Sequence, residues 1–204
     1  MAQQGSMALG GTLGIQHNKA LQAPLAWRLR NALRPAFWAG WASNKAARKF
    51  SDLTGIPTLT AELSIVLHKG NGQRIDYGVV GYRVVTTAFV TFLVDQLQTE
   101  TSVFGDFKYH DSGVGTTAEN VTDTAMETTD GESRATGTQT ETSANIYRSV
   151  GTISYTTTKA ITEHGLFNDA TAGTLMDRTV FSAVNVINGD SISFTYSLTV
   201  SSGG

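Results

Sequence analysis

The chain has 204 residues, 40% hydrophobic and 16% charged, with 21 glycines, 3 prolines and no cysteine. That length and apolar content suit one domain with a true core, and a second half rich in Gly, Ser and Thr suits strands and turns rather than a helical bundle. The lack of cysteine excludes disulfides, thiolate nucleophiles and Cys-ligated metals.

The net charge of −2 is unevenly divided. Residues 1–51 carry Lys19, Arg28, Arg30, Arg34, Lys45, Arg48 and Lys49 and no acid. The remainder sets eight basic residues against all 17 acids, a balance of −9. A basic segment joined to an acidic body points to a partner for one of the two.

Residues 1–20 are rich in Gly, Gln and Ala and show no period, which predicts an extended arm that a neighbouring subunit would order. The opening MAQQGSMALGGTLG has no basic start followed by an apolar run, so no secretory signal is expected. From Leu21 to Phe50 good helix formers are interrupted by Pro24 and Pro35, predicting helices near 25–34 and 36–50. All three tryptophans, Trp27, Trp38 and Trp41, lie here, and so short a basic segment cannot bury them alone. Residues 1–50 are therefore expected to form an assembly arm separate from a β-rich body at 51–204. Its partner-binding residues would be Trp27, Arg28, Arg30, Arg34, Trp38 and Trp41, since tryptophan and arginine are enriched at interface hot spots. Nucleic acid is the alternative partner, through phosphate contacts and stacking, although seven charges make a modest phosphate grip.

In the body, Leu59, Ala61, Leu63, Ile65 and Leu67 alternate with more polar residues, the period of a strand. Gly70-Asn71-Gly72 reads as a hairpin turn, after which Ile75, Tyr77 and Val79 resume the alternation. Val84, Val85, Ala88, Phe89, Phe92, Leu93 and Leu97 fall at helical spacing and predict one amphipathic helix over 86–98, with a strand as the alternative because Val90 and Val94 sit off that face. The apolar stretch Val84–Val94 is broken by threonines and is too short to span a bilayer, so a soluble chain with no membrane role is expected. A short strand follows at Phe107 and Tyr109, then a long loop or excursion of thin strands over 112–142. Strands are predicted near 146–156, 159–167 and 179–187. After the turn Asn188-Gly189-Asp190, the alternation of Ile192, Phe194, Tyr196, Leu198 and Val200 predicts a strand about 30 Å long at ~3.3 Å per residue. The expected fold is mainly β: an antiparallel β-sandwich or jelly-roll-like body with one amphipathic helix and an extended, partly helical N-terminal arm.

The stretch ITEHGLF, Ile161–Phe167, sets an acid, an imidazole and a glycine side by side. On a strand Glu163 and His164 point to opposite faces and cannot grip one atom together. They are expected to close a strand, with Gly165 relieving backbone crowding and Leu166 and Phe167 entering the core. The histidines His17, His68, His110 and His164 make no zinc-binding spacing. Gly189-Asp190-Ser191-Ile192 resembles the start of the GDSL esterase signature, yet no histidine follows Ser191, and a turn is the better reading. Neither a GxSxG elbow nor a P-loop occurs. No catalytic residue, cofactor or metal is therefore expected. Asp123, Glu127, Asp130 and Glu132 could line a cation site, but without the EF-hand order a solvated acidic loop is expected. Asn120-Val121-Thr122 matches a glycosylation sequon, which means little without a secretory signal.

The second half carries an ordered set of blocks. These are G-x-G-T-T-A at Gly113–Ala118 with Asp123-Thr124-Ala125 following, I-T-E-x-G-L-F at 161–167, the segment Leu175–Phe181, and the final V-x-x-G-D-x-I-x-F-T-Y strand. Over about residues 86–200 this set resembles a family of tailed-bacteriophage virion structural proteins. The resemblance implies a non-enzymatic role, a place in the virion, capsid or other virion proteins as partners, and a homo-oligomer. A capsid decoration (cement) protein stapling neighbouring subunits is the leading expectation. A tail or head–tail connector component and an internal nucleic-acid-binding virion protein are the alternatives.

Overall fold

The computed structural model describes residues 20–82, 84–98 and 106–201; the stretch 1–19, expected as the extended part of the arm, lies outside the described residues. The chain is mainly β, with two open sheets forming a sandwich-like body. One sheet has six strands in the order β1 (Leu21–Gln22), β3 (Arg74–Tyr82), β2 (Thr58–His68), β11 (Ser191–Ser201), β8 (Ile146–Ser154) and β7 (Thr138–Ser143). The other has five, in the order β4 (Val84–Val85), β10 (Leu175–Val186), β9 (Lys159–Phe167), β5 (Tyr109–Gly113) and β6 (Ala135–Thr136).

The two strands with the clearest alternation become the centre of the six-stranded sheet. β2 and β11 pair along their whole length, from Thr58 opposite Ser201 to His68 opposite Ser191. Their inward residues Leu63, Ile65, Leu67, Ile192 and Phe194 meet Ile161, Phe181, Val184 and Val186 of the facing sheet in one buried cluster. Each such side chain contributes about 1.5–3 kcal/mol by leaving water.

The sheets are stitched along both sides by continuous chain. β3 runs on toward β4, changing sheets. On the far side β6 passes through Gly137 into β7, with the Gly137 N–H donating to Lys108 O at 2.7 Å. A Cβ at Gly137 would sit 2.6 Å from Ser149 Oγ and 2.7 Å from His110 Nε2, so only glycine lets the chain cross there.

Three helices are present among the described residues. α1 (Leu25–Ala32) and α2 (Pro35–Thr54) are split at Pro35, which takes the first helical position of α2 where its missing N–H costs nothing. α2 continues past the predicted end to Gly55, whose left-handed φ of 71° and N–H bond to Ser51 O at 2.9 Å form a glycine cap. α3 (Thr87–Gln98) starts at Thr86, whose Oγ1 accepts the Phe89 N–H at 3.2 Å while its hydroxyl donates to Leu175 O at 2.6 Å. Val84 and Val85, which fit the helical spacing, instead pair with β10 as β4, because Thr86 caps the helix after them. Phe89, Phe92 and Leu93 close one end of the core beside Phe107, whereas Leu97, expected on the packed face, is exposed.

The helical segment before Ser51 is not set apart from the body, as the arm expectation had it. β1 pairs in parallel with β3. The Trp27 indole donates to Ser182 O and Ala183 O at 3.0 and 2.9 Å and meets the Tyr77 ring edge-on at 4.6 Å. Buried Asn31 donates to Val80 O and accepts the Ser182 N–H, both at 3.0 Å, so α1 bridges one strand of each sheet. Buried Asn44 fastens α2 to Ala61 O at 2.8 Å.

Candidate interaction surface

Glu163 and His164 do face opposite ways, as period-two geometry requires. Both are wholly buried. Glu163 Oε1 accepts the N–H groups of Gly115 and Thr128 at 3.0 and 2.8 Å, and Oε2 accepts the Glu127 N–H at 3.2 Å and Arg178 Nε at 2.7 Å. The rest of the Arg178 guanidinium donates to Asp123 Oδ2 at 3.0 Å, Thr117 O at 3.2 Å and Glu127 Oε2 at 3.3 Å. Burial pulls the Arg178 pKa down, but the bonds to Glu163 and Asp123 outweigh it and hold the pKa above the ordinary arginine value. On the inner face, His164 Nε2 lies 2.9 Å from His110 Nδ1, and His110 Nε2 lies 2.8 Å from Ser149 Oγ. The His164 ring packs on Phe194 at 4.6 Å, tying the two sheets together.

The blocks at 113–118, 123–125, 161–167 and 175–181 meet at this clasp, while the final strand lies apart from it. A Cβ at Gly113 or Gly115 would come within 2.6 or 2.5 Å of Glu163 Oε1, and one at Gly165 within 2.5 Å of Met126 Sδ. These glycines let the loop 114–130 lie against the strand, which accounts for Gly165 as the relief of crowding. Leu166 and Phe167 are both buried. The acids of the loop are paired rather than simply solvated, although Glu127 stays exposed as expected. Asp123 and Glu127 bond Arg178, and Lys159 bonds Glu132 at 2.7 Å beside Asp130, which accepts the Ser112 hydroxyl. Arg178 escaped the sequence reading, although a charged pair Asp177-Arg178 inside an apolar strand was the signal for a buried ionic bond. At the other turn, Asp190 accepts the N–H groups of Gly70 and Ile187 and Lys69 Nζ at 2.6 Å. Burial alone would raise its pKa; the Lys69 bond and the two amides hold it below the ordinary carboxylate value. Ser191 begins β11 opposite His68.

The six residues proposed for partner binding divide into two groups. Trp27 and Arg34 turn inward, Arg34 donating to Val180 O. Arg28, Arg30, Trp38 and Trp41 stay exposed, the two indoles at 52% and 39%. Trp38 meets both Phe37 and Trp41 edge-on with centroids 5.7 Å apart, and its indole N–H donates to Ala32 O. Lys45 Nζ stands 5.0 Å over the Trp41 ring. Beside them Leu25, Leu29 and Leu33 form an exposed stripe at four-residue spacing. That stripe was legible from its period but was absorbed into the general helix reading. Elsewhere, Phe89, Leu93, Phe107, Tyr147 and Leu198 help line an apolar cavity of about 390 Å³.

No protein family, curated protein or solved structure matches the chain.

Proposed function

We propose that this chain is a non-enzymatic structural protein of a tailed-bacteriophage virion, a capsid decoration (cement) subunit that joins its neighbours through the outer face of α1 and α2. The observation that carries this reading is the pair Trp38 and Trp41, side by side on an exposed basic helix face. Indoles bury large areas at interfaces and dominate their energetics, and the exposed leucines of α1 extend the apolar patch beyond isolated surface residues. The resemblance supplies the class of particle. The clasp around Arg178 supports a structural role for the blocks behind it, because their polar groups are bonded to one another and to backbone.

The test is incorporation into particles. W38A with W41A is expected to weaken incorporation more than K45E with K49E, and raised salt to release little protein, because exposed ion pairs contribute only about 0–1 kcal/mol each. Normal incorporation of the double tryptophan variant would overturn the surface assignment. Retention on DNA with steep salt dependence would point instead to the internal nucleic-acid-binding role.

A further inference from the structure

The exposed face of α2 contains a cleft of about 350 Å³ bounded by Trp41, Asn44, Lys45 and Arg48 of the helix, Glu62 of β2 and Tyr82 at the end of β3. Trp41, Lys45 and Arg48 fall on successive turns of one helix face, so their side chains project together. Arg48 is steadied by its Nε bond to Thr60 Oγ1 at 3.2 Å, which holds the guanidinium at the rim. Opposite it, the Tyr82 ring is braced edge-on by Phe37 at 5.3 Å. Burial, then the neighbouring Glu62, push the phenol pKa up while Arg48 pulls it down, leaving a neutral hydroxyl at the wall. The cleft thus offers two aromatic walls, two cations and one carboxylate.

That mixture selects among anionic occupants. A nucleic-acid strand brings phosphates at every step and would set them against Glu62, whereas a polypeptide can place a carboxylate at the cations and an uncharged side chain beside the acid. The cleft lining sets the two cations Lys45 and Arg48 against the single carboxylate of Glu62, so its own charge is net positive. We infer that this cleft recognises an acidic segment of a partner protein: an Asp or Glu of the segment pairs with Lys45 and Arg48 while an adjacent apolar side chain lies between Trp41 and Tyr82. The inference rests on the reading of the α2 face as the partner surface and names the chemistry that this face takes.

Two arms test it and keep the two readings apart. In solution, the full chain is titrated with a synthetic peptide of glutamates spaced by leucines and with single-stranded oligothymidylate. The peptide is expected to bind. K45E with R48E should weaken it on the order of tenfold, as two exposed ion pairs would, and W41A should weaken it at unchanged salt dependence. Both variants alter exposed side chains, and an unchanged β spectrum confirms the fold. W41F serves as the milder variant and should retain most of the affinity. Failure of the peptide to bind, binding indifferent to K45E with R48E, or tighter binding of oligothymidylate at the same residues would each overturn the inference. In particles, K45E with R48E should lower incorporation less than W38A with W41A does. Peptide binding by a chain absent from particles would remove the virion role and leave the cleft standing. Normal particle incorporation by a chain that ignores the peptide would do the reverse.

Discussion

The clasp around Arg178 and the outer face of α2 are built from similar parts put to different ends. Each sets cations beside carboxylates and rings. In the clasp the Arg178 side chain is 4% exposed and reaches Glu163 at 2.7 Å in a site sealed by the loop over it. On α2, Lys45 and Arg48 lie open to solvent near Glu62, with Trp38 and Trp41 beside them. A buried charge without its partner is costly, so the first arrangement commits the chain to one conformation. Exposed pairs are weak and leave their groups available, so the second arrangement keeps its binding capacity, most of it in indole area.

The largest effect should come from breaking the clasp. Arg178→Met leaves the Glu163 carboxylate buried without its cation and is expected to lower the unfolding free energy by about 3–5 kcal/mol in urea titrations. Adding E163Q should recover part of the loss, because the amide oxygen still accepts backbone N–H groups. A wild-type midpoint for the single variant would mean that the loop is held closed by something else.

Trp27 sharpens the boundary between body and surface. Its indole is half-buried and bonded to β10, so Trp27→Ala should cost about 2 kcal/mol, less than the 3–5 of a fully buried ring. Removing everything before Ser51 also deletes β1 and the anchors Asn31 and Asn44, and should lower the melting temperature further. A truncated chain that melts like the whole would restore residues 21–50 to the status of an appendage.

Asp190 tests the same contrast through pH. Its folded-state pKa is depressed, so its contribution is fully present above the unfolded value near 3.9 and is lost as pH falls through the folded one. Asp190→Asn should therefore cost about 1–2 kcal/mol at neutral pH and flatten the decline of stability below pH about 4. An acid limb identical to wild type would show that the turn draws nothing from the carboxylate charge.

The smallest effect on stability belongs to the face proposed for binding. Trp38→Ala and Trp41→Ala should each change the unfolding free energy by no more than about 0.5 kcal/mol while weakening partner binding. A large loss of stability would assign these rings to the fold instead.

Much of the sandwich was readable from residue order. β2 and β11 fall within a residue or two of their predicted bounds because each alternates over nine or more residues with one face buried, and β9 matches its predicted bounds although both of its faces are buried. The same period placed Glu163 and His164 on opposite faces. The segment 112–142 was read only as a loop or thin strands. Its polar strand β7 is exposed throughout and owes its existence to pairing with β8, which composition cannot announce. The candidate surface was half readable: tryptophan and charge content marked the segment, but not which rings turn inward.

What the sequence determined by itself is therefore local and periodic. It set the long strands, where proline divides the helices, and that the basic charge is concentrated before residue 52. Tertiary structure alone decided that Trp27, Asn31 and Arg34 bond to the body while Trp38, Trp41, Lys45 and Arg48 stay outside. It also decided that Arg178 meets Glu163, Asp123 and Glu127. The physical reason is distance along the chain. Alternation and capping act between near neighbours, whereas the bonds of Trp27 to Ser182 and of Arg178 to Asp123 exist only once strands far apart in sequence have paired.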